Sequence, residues 1–259
     1  VTATEIEDHR YYEPLSWSSD AEWLWVGVQY GEGYRHLVAS VVHNAPLYFN
    51  CYTEMEWFPD QAKFVALVSY SGLAGCGAQD GVYIVDLTGS QSVENWIYHE
   101  SSLVQASERK WRYVALSPTG NDAAFVLRVA LGSTAESRLL HITTIGEKLS
   151  DLAHSQGNLV TPLWSRTGKS LYFVEQIGMA STLFTIDVDT REKVSLYASQ
   201  QSEYLLSLSP DGQWLVLGTQ DTPRHWLSLR VLHISGRVTQ AIKLDTSSPN
   251  PLVGWERIK

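Results

Sequence analysis

The stretch Leu208–Leu217 (LSPDGQWLVL) places one hydrophobic residue before a tight turn and a run of apolar residues after it. In the Ser-Pro-Asp-Gly turn at residues 209–212, Pro presets φ at the first turn position, Asp bonds the local backbone and Gly accepts a positive φ. Leu215 and Leu217 are two residues apart, so they lie on one face of the strand that follows. The stretch therefore predicts a β-hairpin with an apolar face.

Copies of this stretch recur along the whole chain. The others begin at Trp17, Trp57, Leu116 and Trp164, and a sixth begins at Trp255, so that successive starts are 40 to 59 residues apart. After each turn come a second strand, a third apolar run and, in most units, a shorter fourth run. A repeat of this length with four short strands is typical of a blade of a β-propeller.

Two copies lack the glycine of the turn, namely Ser19-Asp20-Ala21 and Pro59-Asp60-Gln61. Since Gly is the residue that takes a positive φ without a steric cost, we expect these two hairpins to use another bulge or a longer loop. Most of the Trp residues lie inside the copies, where we expect them to pack between stacked sheets.

The sequence thus predicts an all-β fold, a β-propeller of four-stranded antiparallel blades that forms a single domain over residues 1–259. Five complete units start near residues 14, 53, 112, 161 and 204, and a partial closing unit starts near residue 251. Residues 2–7 are a candidate for the outer strand of that closing blade. We expect these units to be part of a ring of six to eight blades. A closed five-blade ring with a spare terminal strand is the alternative.

Three segments carry a family resemblance. They are the Trp-Ser-x-Asp segment at residues 17–20, the Leu-Ser-Pro-Asp-Gly-x-x-Leu-x-Leu segment at 208–217 and the Leu-Phe-Thr-Ile-Asp segment at 183–187. This pattern resembles the repeats of TolB-type propellers, and of the propeller domains of prolyl oligopeptidases and dipeptidyl peptidases, over residues 14 to 257. The resemblance implies a propeller fold. It does not fix the function, because unrelated activities use the same blades.

Charge and hydropathy exclude some classes of partner. The chain has 28 acidic and 19 basic residues, a net charge of −9, and no run of Lys and Arg, which argues against nucleic-acid binding. No stretch approaches the length of about 18 apolar residues that a membrane-spanning helix requires. Membrane association through a segment outside these residues or through a partner stays open.

The two cysteines are a candidate pair. Cys51 lies between two units, and Cys76 lies in the loop between the second and third strands of the second unit. In a propeller blade these two kinds of loop emerge on the same face, so a Cys51–Cys76 disulfide is geometrically compatible with the fold. A disulfide predicts an extracytoplasmic location, whether periplasmic, secreted or membrane-tethered. The alternative is two unpaired thiols in a cytosolic protein.

No catalytic or metal motif emerges from the sequence. The segment Ser69–Leu73 lacks the glycines of a nucleophile elbow, and the His residues show no metal-ligand spacing. We therefore predict no catalytic residue, no metal and no cofactor. His36, His141 and His233 are expected to be structural. The acidic pairs Glu54/Glu56 and Asp187/Asp189 are expected to be solvated edge residues or turn partners rather than an acid/base dyad.

One face of the predicted propeller is the candidate binding surface. We call it the loop face: there the first strand of each blade begins, and the loops between second and third strands emerge. The entries of the first strands carry Glu13, Glu54, Arg112, Thr161 and Tyr204. The loops add Tyr30, Tyr34, Arg35, Tyr70, Arg224, His225 and Trp226. A mixture of Tyr, Trp and Arg is typical of protein interfaces.

The most favoured function is a non-catalytic scaffold or subunit that binds a protein partner on the loop face. Two alternatives stay open at this point. One is the gating propeller of a serine peptidase whose catalytic domain lies outside these residues. The other is a propeller enzyme with a metal in the central channel.

Overall fold

The structure, a computed structural model, describes residues 10–30, 33–43, 46–49, 52–69, 80–88, 91–98, 108–131, 134–146, 149–222, 225–235 and 238–243. The described residues form β-strands joined by turns and short loops. Within these ranges, no helix has the length and apolarity to cross a membrane.

Five four-stranded sheets contain these strands, and we number them as blades in chain order. Blade 1 contains β1 (Arg10–Trp17), β2 (Trp23–Tyr30), β3 (Gly33–Ser40) and β4 (Leu47–Phe49). Blade 2 contains β5 (Tyr52–Trp57), β6 (Lys63–Val68), β7 (Gly81–Thr88) and β8 (Gln91–Tyr98). Blade 3 contains β9 (Glu108–Leu116), β10 (Asp122–Leu131), β11 (Thr134–Thr143) and β12 (Leu149–Ser155). Blade 4 contains β13 (Asn158–Trp164), β14 (Ser170–Ile177), β15 (Ala180–Asp187) and β16 (Lys193–Ser199). Blade 5 contains β17 (Glu203–Leu208), β18 (Trp214–Thr222), β19 (His225–His233) and β20 (Val238–Lys243).

Within each blade the four strands lie in sequence order, and neighbouring strands are antiparallel. This arrangement is the up-and-down meander that a hairpin repeat predicts, since short turns join antiparallel neighbours. The prediction of an all-β fold with four-stranded antiparallel blades is confirmed.

A buried serine organises the turn between the first and second strands of a blade. Trp214 N–H donates to Ser209 Oγ at 2.9 Å, and Gly212 N–H donates to the Ser209 carbonyl at 2.8 Å. The same two bonds recur in blades 1, 3 and 4 around Ser18, Ser117 and Ser165. The serine therefore satisfies the two backbone amides that the tight turn removes from the strand ladder. We call the end of the blades that carries these turns the turn face.

Blade 1 keeps this turn although it lacks the glycine. Ala21 occupies the glycine position with φ 57°, and its N–H donates to the Ser18 carbonyl at 3.0 Å. The expectation of another bulge or a longer loop was wrong here. The Asp20 carboxylate accepts bonds from the Ser18 hydroxyl and the Glu22 amide, as the Asp211 carboxylate does from the equivalent groups in blade 5. Ala21 therefore takes the positive φ that Gly212 takes in blade 5.

Blades 2, 3 and 4 bury both faces of their sheets against their neighbours. Phe64 of blade 2 packs on blade 1, while Phe125 of blade 3 packs on the opposite face of blade 2. Phe173 of blade 4 packs on blade 3, and all three Phe side chains are fully buried. The hydrophobic core therefore consists of successive layers between blades.

Two tryptophans join neighbouring blades by hydrogen bonds as well as by packing. Trp57 Nε1–H donates to the Ser16 carbonyl of blade 1 at 3.3 Å, and Trp164 Nε1–H donates to the Ala115 carbonyl of blade 3 at 3.0 Å. Both occupy the position just before the turn. Trp17 has the same position in blade 1, and 53% of its surface is exposed.

One face of blade 1 bears on whether the ring of blades is closed. Its cluster of Val26, Val28 and Leu37 is buried, and every described member of that cluster comes from blade 1. The partial unit predicted from residue 251 and the candidate strand at residues 2–7 lie outside the described residues. The ring of six to eight blades therefore stays a prediction.

Candidate functional site

The two kinds of loop assigned to the loop face emerge at the same end of the blades. In blade 1, Arg10 at the start of β1 pairs with Tyr30 at the end of β2. In blade 5, Glu203 at the start of β17 pairs with Thr219 near the end of β18. The start of each first strand thus lies beside the hairpin that joins the second and third strands.

Every first strand carries a β-bulge in its pairing with the second strand. The first-strand residues left without a cross-strand partner are Leu15, Thr53, Tyr113 with Val114, Thr161 with Pro162, and Leu206. Two of them, Tyr113 and Thr161, have positive φ values of 54° and 46°. Such values are uncommon for Tyr and strained for a β-branched residue. A bulge changes the direction in which the nearby side chains point. The side-chain directions at these positions therefore differ from those in a regular strand.

Side chains from one blade bond the backbone of the next blade at these bulges. Glu54 Oε2 of blade 2 accepts the N–H of Tyr113 in blade 3 at 2.9 Å, and the Val114 amide donates to the same carboxylate. Thr161 Oγ1 of blade 4 accepts the N–H of Leu205 in blade 5 at 2.9 Å. At the bulges of these first strands, side chains of the preceding blade therefore accept hydrogen bonds from the backbone amides.

Glu56 makes a second bond between blades 2 and 3. Its Oε2 atom accepts the N–H of Leu116 at 3.2 Å. Removal from water raises the pKa of Glu54 and of Glu56 to about 7 in each case, against the effect of the bonds that they accept. The expectation of solvated edge residues was wrong for this pair, because the next blade covers the strand face that they share. Asp187 is a turn partner as expected, since its carboxylate accepts the amides of Asp189 and Thr190.

A group of polar side chains lies where the first strands of blades 2, 3 and 5 begin. Its members are Glu54, Arg112, Tyr113 and Tyr204. The Arg112 guanidinium lowers the pKa of the Glu54 carboxyl by charge and donates to the Tyr113 hydroxyl. Burial raises the pKa of Tyr113 to about 12, and the proximity of Tyr204 and Glu54 adds to this effect. Tyr113 is therefore a neutral phenol at physiological pH, with Arg112 beside its oxygen.

A small cavity of about 50 Å³ opens beside this group, between blades 3, 4 and 5. Its described lining residues are Arg112, Tyr113, Val126, Arg128, Ser137, Asn158, Leu159, Val160, Gln176 and Tyr204. Two polar residues of the lining hold the local backbone: Gln176 Nε2 donates to the Glu203 carbonyl at 2.8 Å, and Ser137 Oγ donates to the Gly157 carbonyl at 2.9 Å. No described lining residue is acidic. The cavity can therefore hold a small polar or anionic group.

The structure brings four of the five predicted strand-entry residues to one region. Glu54, Arg112, Thr161 and Tyr204 lie on β5, β9, β13 and β17, and these four strands contact one another in succession. Their positions are not strictly equivalent. Counted from the first turn residue, Glu54 and Thr161 match Tyr113 rather than its neighbour Arg112. Glu13 lies on β1, where it pairs with Gly27.

Five of the loop residues have a described backbone position. Tyr30, Tyr34 and Arg35 lie on the two strands of the β2–β3 hairpin, in which Tyr30 pairs with Gly33, and His225 and Trp226 begin β19. Tyr70, Arg224, Cys51 and Cys76 lie outside the described residues. Whether the two cysteines form a disulfide therefore stays a prediction.

Sequence reasoning did not select five polar residues of the cavity: Tyr113, Arg128, Ser137, Asn158 and Gln176. A usable signal existed for two of them, because Arg128 and Gln176 interrupt otherwise apolar runs of the second strands β10 and β14. Asn158 pairs with Gln176 across the β13–β14 ladder. Tyr113 gives no such signal, since its role depends on the bulge.

The histidines have local partners. His36 Nδ1 lies 2.6 Å from the Tyr52 carbonyl of blade 2, and His141 Nε2 lies 2.9 Å from Asp122 Oδ1. His233 Nδ1 lies 2.9 Å from Ser235 Oγ. Among the residues that the structure describes, no group of three or more His, Cys, Asp or Glu side chains could hold one metal ion.

Comparison with known proteins gives similarity in structure and none in sequence. No protein-family model matches the chain, and no curated protein matches it significantly. The fold is similar to TolB from Acinetobacter baumannii, with a TM-score of 0.60 and 17% identity over 91% of this chain and 55% of that protein. It is similar to a TolB candidate from Agrobacterium tumefaciens, with a TM-score of 0.58 and 17% identity over 90% of this chain and 82% of that one.

A prolyl endopeptidase is a third structural neighbour. It has a TM-score of 0.60 and 13% identity over 91% of this chain and 35% of the peptidase. The fold is a TolB-like β-propeller. The predicted resemblance to these propellers is confirmed for the fold. The chain spans about half the length of the Acinetobacter protein and about a third of the peptidase, and identities this low establish the fold alone.

Proposed function

We propose that this propeller is a non-catalytic binding domain that holds a protein partner on its loop face, as a scaffold or as a subunit of a larger assembly. The observation that carries the proposal is the group of Arg112, Tyr113 and Tyr204 around the cavity at the entries of blades 3 to 5. Arg and Tyr contribute strongly to protein interfaces, because each combines a large contact area with directional hydrogen bonds.

The bonds between blades support this proposal. Glu54 and Thr161 fix the backbone of the next blade at the bulges, immediately beside Arg112 and Tyr204. A surface that is already rigid in the free protein loses less conformational entropy when a partner binds. The propeller therefore offers a preorganised patch rather than a set of mobile loops.

Site-specific photo-crosslinking tests the proposal. A benzophenone amino acid replaces Arg112 on the loop face or, as the matched control, the exposed Arg166 in a turn on the opposite face. We expect a protein crosslinked from position 112 and none from position 166 in the native host. The partner, identified by mass spectrometry and purified, should bind Tyr204→Ala at least tenfold more weakly and Arg166→Ala with unchanged affinity. Crosslinks from position 166 alone, or a Tyr204→Ala variant of full affinity, would overturn the proposal.

A second candidate function is the gating domain of a serine peptidase. The similarity to a prolyl endopeptidase, of which this chain covers 35%, favours it. Labelling of the full-length encoded protein with a fluorophosphonate probe distinguishes the two candidate functions. A labelled serine outside residues 1–259 would support the peptidase, whereas an unlabelled protein that still captures its partner would support the scaffold.

An extracytoplasmic location is part of the proposal and rests on Cys51 and Cys76. Peptide mass analysis without reduction should find these two cysteines in one linked peptide pair when the protein is isolated from its host with free thiols blocked. Two alkylated cysteines would instead place the chain in a reducing compartment.

A further inference from the structure

The lining of the cavity between blades 3, 4 and 5 is positively charged although the protein is acidic. The chain carries a net charge of −9, yet two guanidinium groups, those of Arg112 and Arg128, line this cavity. None of its described lining residues is a carboxylate. An Arg side chain does not lose its proton in a protein, so both charges are permanent. The Glu54 carboxylate interacts with Arg112 by charge.

Arg128 in particular has no counter-ion in the part of the chain that the structure describes. Nearby, Arg138 pairs with Asp151 at 2.7 Å, and Arg230 pairs with Glu203 at 2.8 Å. Arg128 pairs across the ladder with Lys110 on β9, which is a second cation. Like charges at directly opposite positions destabilise a sheet. This arrangement concentrates positive charge beside the cavity, which favours the binding of an anion.

Asn158 adds a neutral donor to the same cavity. Its amide makes no hydrogen bond to another described side chain or backbone group, and its backbone pairs with Gln176. Both Asn158 and Arg128 are half-exposed, so water solvates them in the free protein and an anionic ligand could take the place of that water. The volume of about 50 Å³ holds a few water-sized groups at about 10–15 Å³ each, which is the size of a carboxylate and the carbon that bears it.

We infer that this cavity binds a carboxylate group, held by the guanidinium groups of Arg128 and Arg112 and by the Asn158 amide. The inference rests on the proposed function, since the carboxylate belongs to an acidic residue of the protein partner that docks on the loop face. A planar guanidinium suits a carboxylate because it donates two parallel N–H bonds.

Titration of the isotope-labelled protein, followed by amide chemical shifts, tests the site without the partner. The probes are N-acetyl-glutamate amide, its neutral match N-acetyl-glutamine amide, and inorganic phosphate. We expect saturable shifts with the glutamate probe, an affinity at least tenfold lower for the glutamine probe, and weakening by salt. The variant Arg128→Gln should lose at least tenfold in affinity, while Arg166→Gln on the turn face should equal the wild type.

Several results would overturn the inference. These are equal binding of the glutamate and glutamine probes, binding of phosphate in preference to the carboxylate, or no shift in any residue that lines the cavity. Should Arg128→Gln fail to fold, Arg128→Lys and Asn158→Ala replace it, and full affinity in both would refute the assignment. The crosslinking experiment at position 112 is independent. A partner that crosslinks there while the glutamate probe does not bind would refute the carboxylate site and leave the proposed function standing.

Discussion

Substituting Glu56 by Gln should stabilise the protein at alkaline pH and not at acid pH. The Glu56 carboxylate is shielded from water between blades 2 and 3, where it accepts the N–H of Leu116 at 3.2 Å. Gln keeps the shape and an acceptor oxygen for that amide, but it carries no charge. The variant therefore removes the cost of burying a charge and retains the bond between the blades.

The magnitude and its sign follow from the pKa of Glu56, which burial raises from 4.5 to about 7. The native state holds the proton more tightly than the unfolded state, so the contribution of Glu56 to stability is full below pH 4.5 and is lost as the pH rises to about 7. One pKa unit corresponds to about 1.36 kcal/mol, which gives a loss of about 3 kcal/mol at pH 8. At pH 5 the loss is below about 1 kcal/mol.

Urea unfolding of the wild type and of Glu56→Gln at pH 5 and pH 8 measures this effect. We expect the variant to gain about 3 kcal/mol over the wild type at pH 8 and less than about 1 kcal/mol at pH 5. Glu192→Gln is the matched control, because Glu192 is exposed. A stability difference that does not change with pH, or a variant less stable than the wild type at pH 8, would refute the reasoning.

Three further predictions concern the bonds within and between blades, and urea unfolding checks all of them. Ala21→Gly should raise the unfolding free energy by about 0.5–1 kcal/mol. The reason is that the strain energy relieved at the positive φ exceeds the cost of the entropy that Gly adds to the unfolded chain. A destabilised variant would mean that Asp20 already relieves the strain. Trp164→Phe should cost about 1–3 kcal/mol by leaving the Ala115 carbonyl without its donor, whereas Trp17→Phe at the exposed equivalent position should change stability by less than about 0.5 kcal/mol. Equal effects at the two Trp positions would contradict this explanation. Thr161→Val should lower the unfolding free energy by about 1–3 kcal/mol, because it removes the acceptor of the Leu205 amide in blade 5. Thr161→Ser should keep most of that stability. An equal loss in both variants would show that packing rather than the hydrogen bond matters.

The blades were predictable from the sequence because the information that specifies them is local. The turn at 209–212 contains its own serine, aspartate and glycine, and the apolar runs beside it alternate at the period of a strand. The same local pattern misled at Ala21. There Ala21 adopts a positive φ, and the bonds of Ser18 and Asp20 are those of the glycine-containing turn in blade 5. A rule based on the glycine alone did not include these bonds.

The site was predictable only in part because its properties depend on neighbouring blades. Arg112 and Tyr204 were selected from their place at the strand entries, and both line the cavity. Glu54 and Glu56 looked like solvated edge residues, since nothing within β5 indicates that blade 3 covers them. Tyr113 could not be selected, because its direction follows from a bulge whose amide is bonded by another blade.

The bulges explain why the fold and the candidate site occupy the same place. A strained Tyr113 persists only where the surroundings compensate for the strain, and Glu54 supplies this compensation from blade 2. The same carboxylate interacts electrostatically with Arg112, and Arg112 also bonds the Tyr113 hydroxyl. Glu54 thus belongs both to the packing between blades and to the electrostatics of the loop face, whereas Glu56, two residues further along the strand, belongs to the packing alone. A comparison of the two glutamates therefore separates the cost of burying a carboxylate, which they share, from any effect on binding, which only Glu54 can transmit through Arg112.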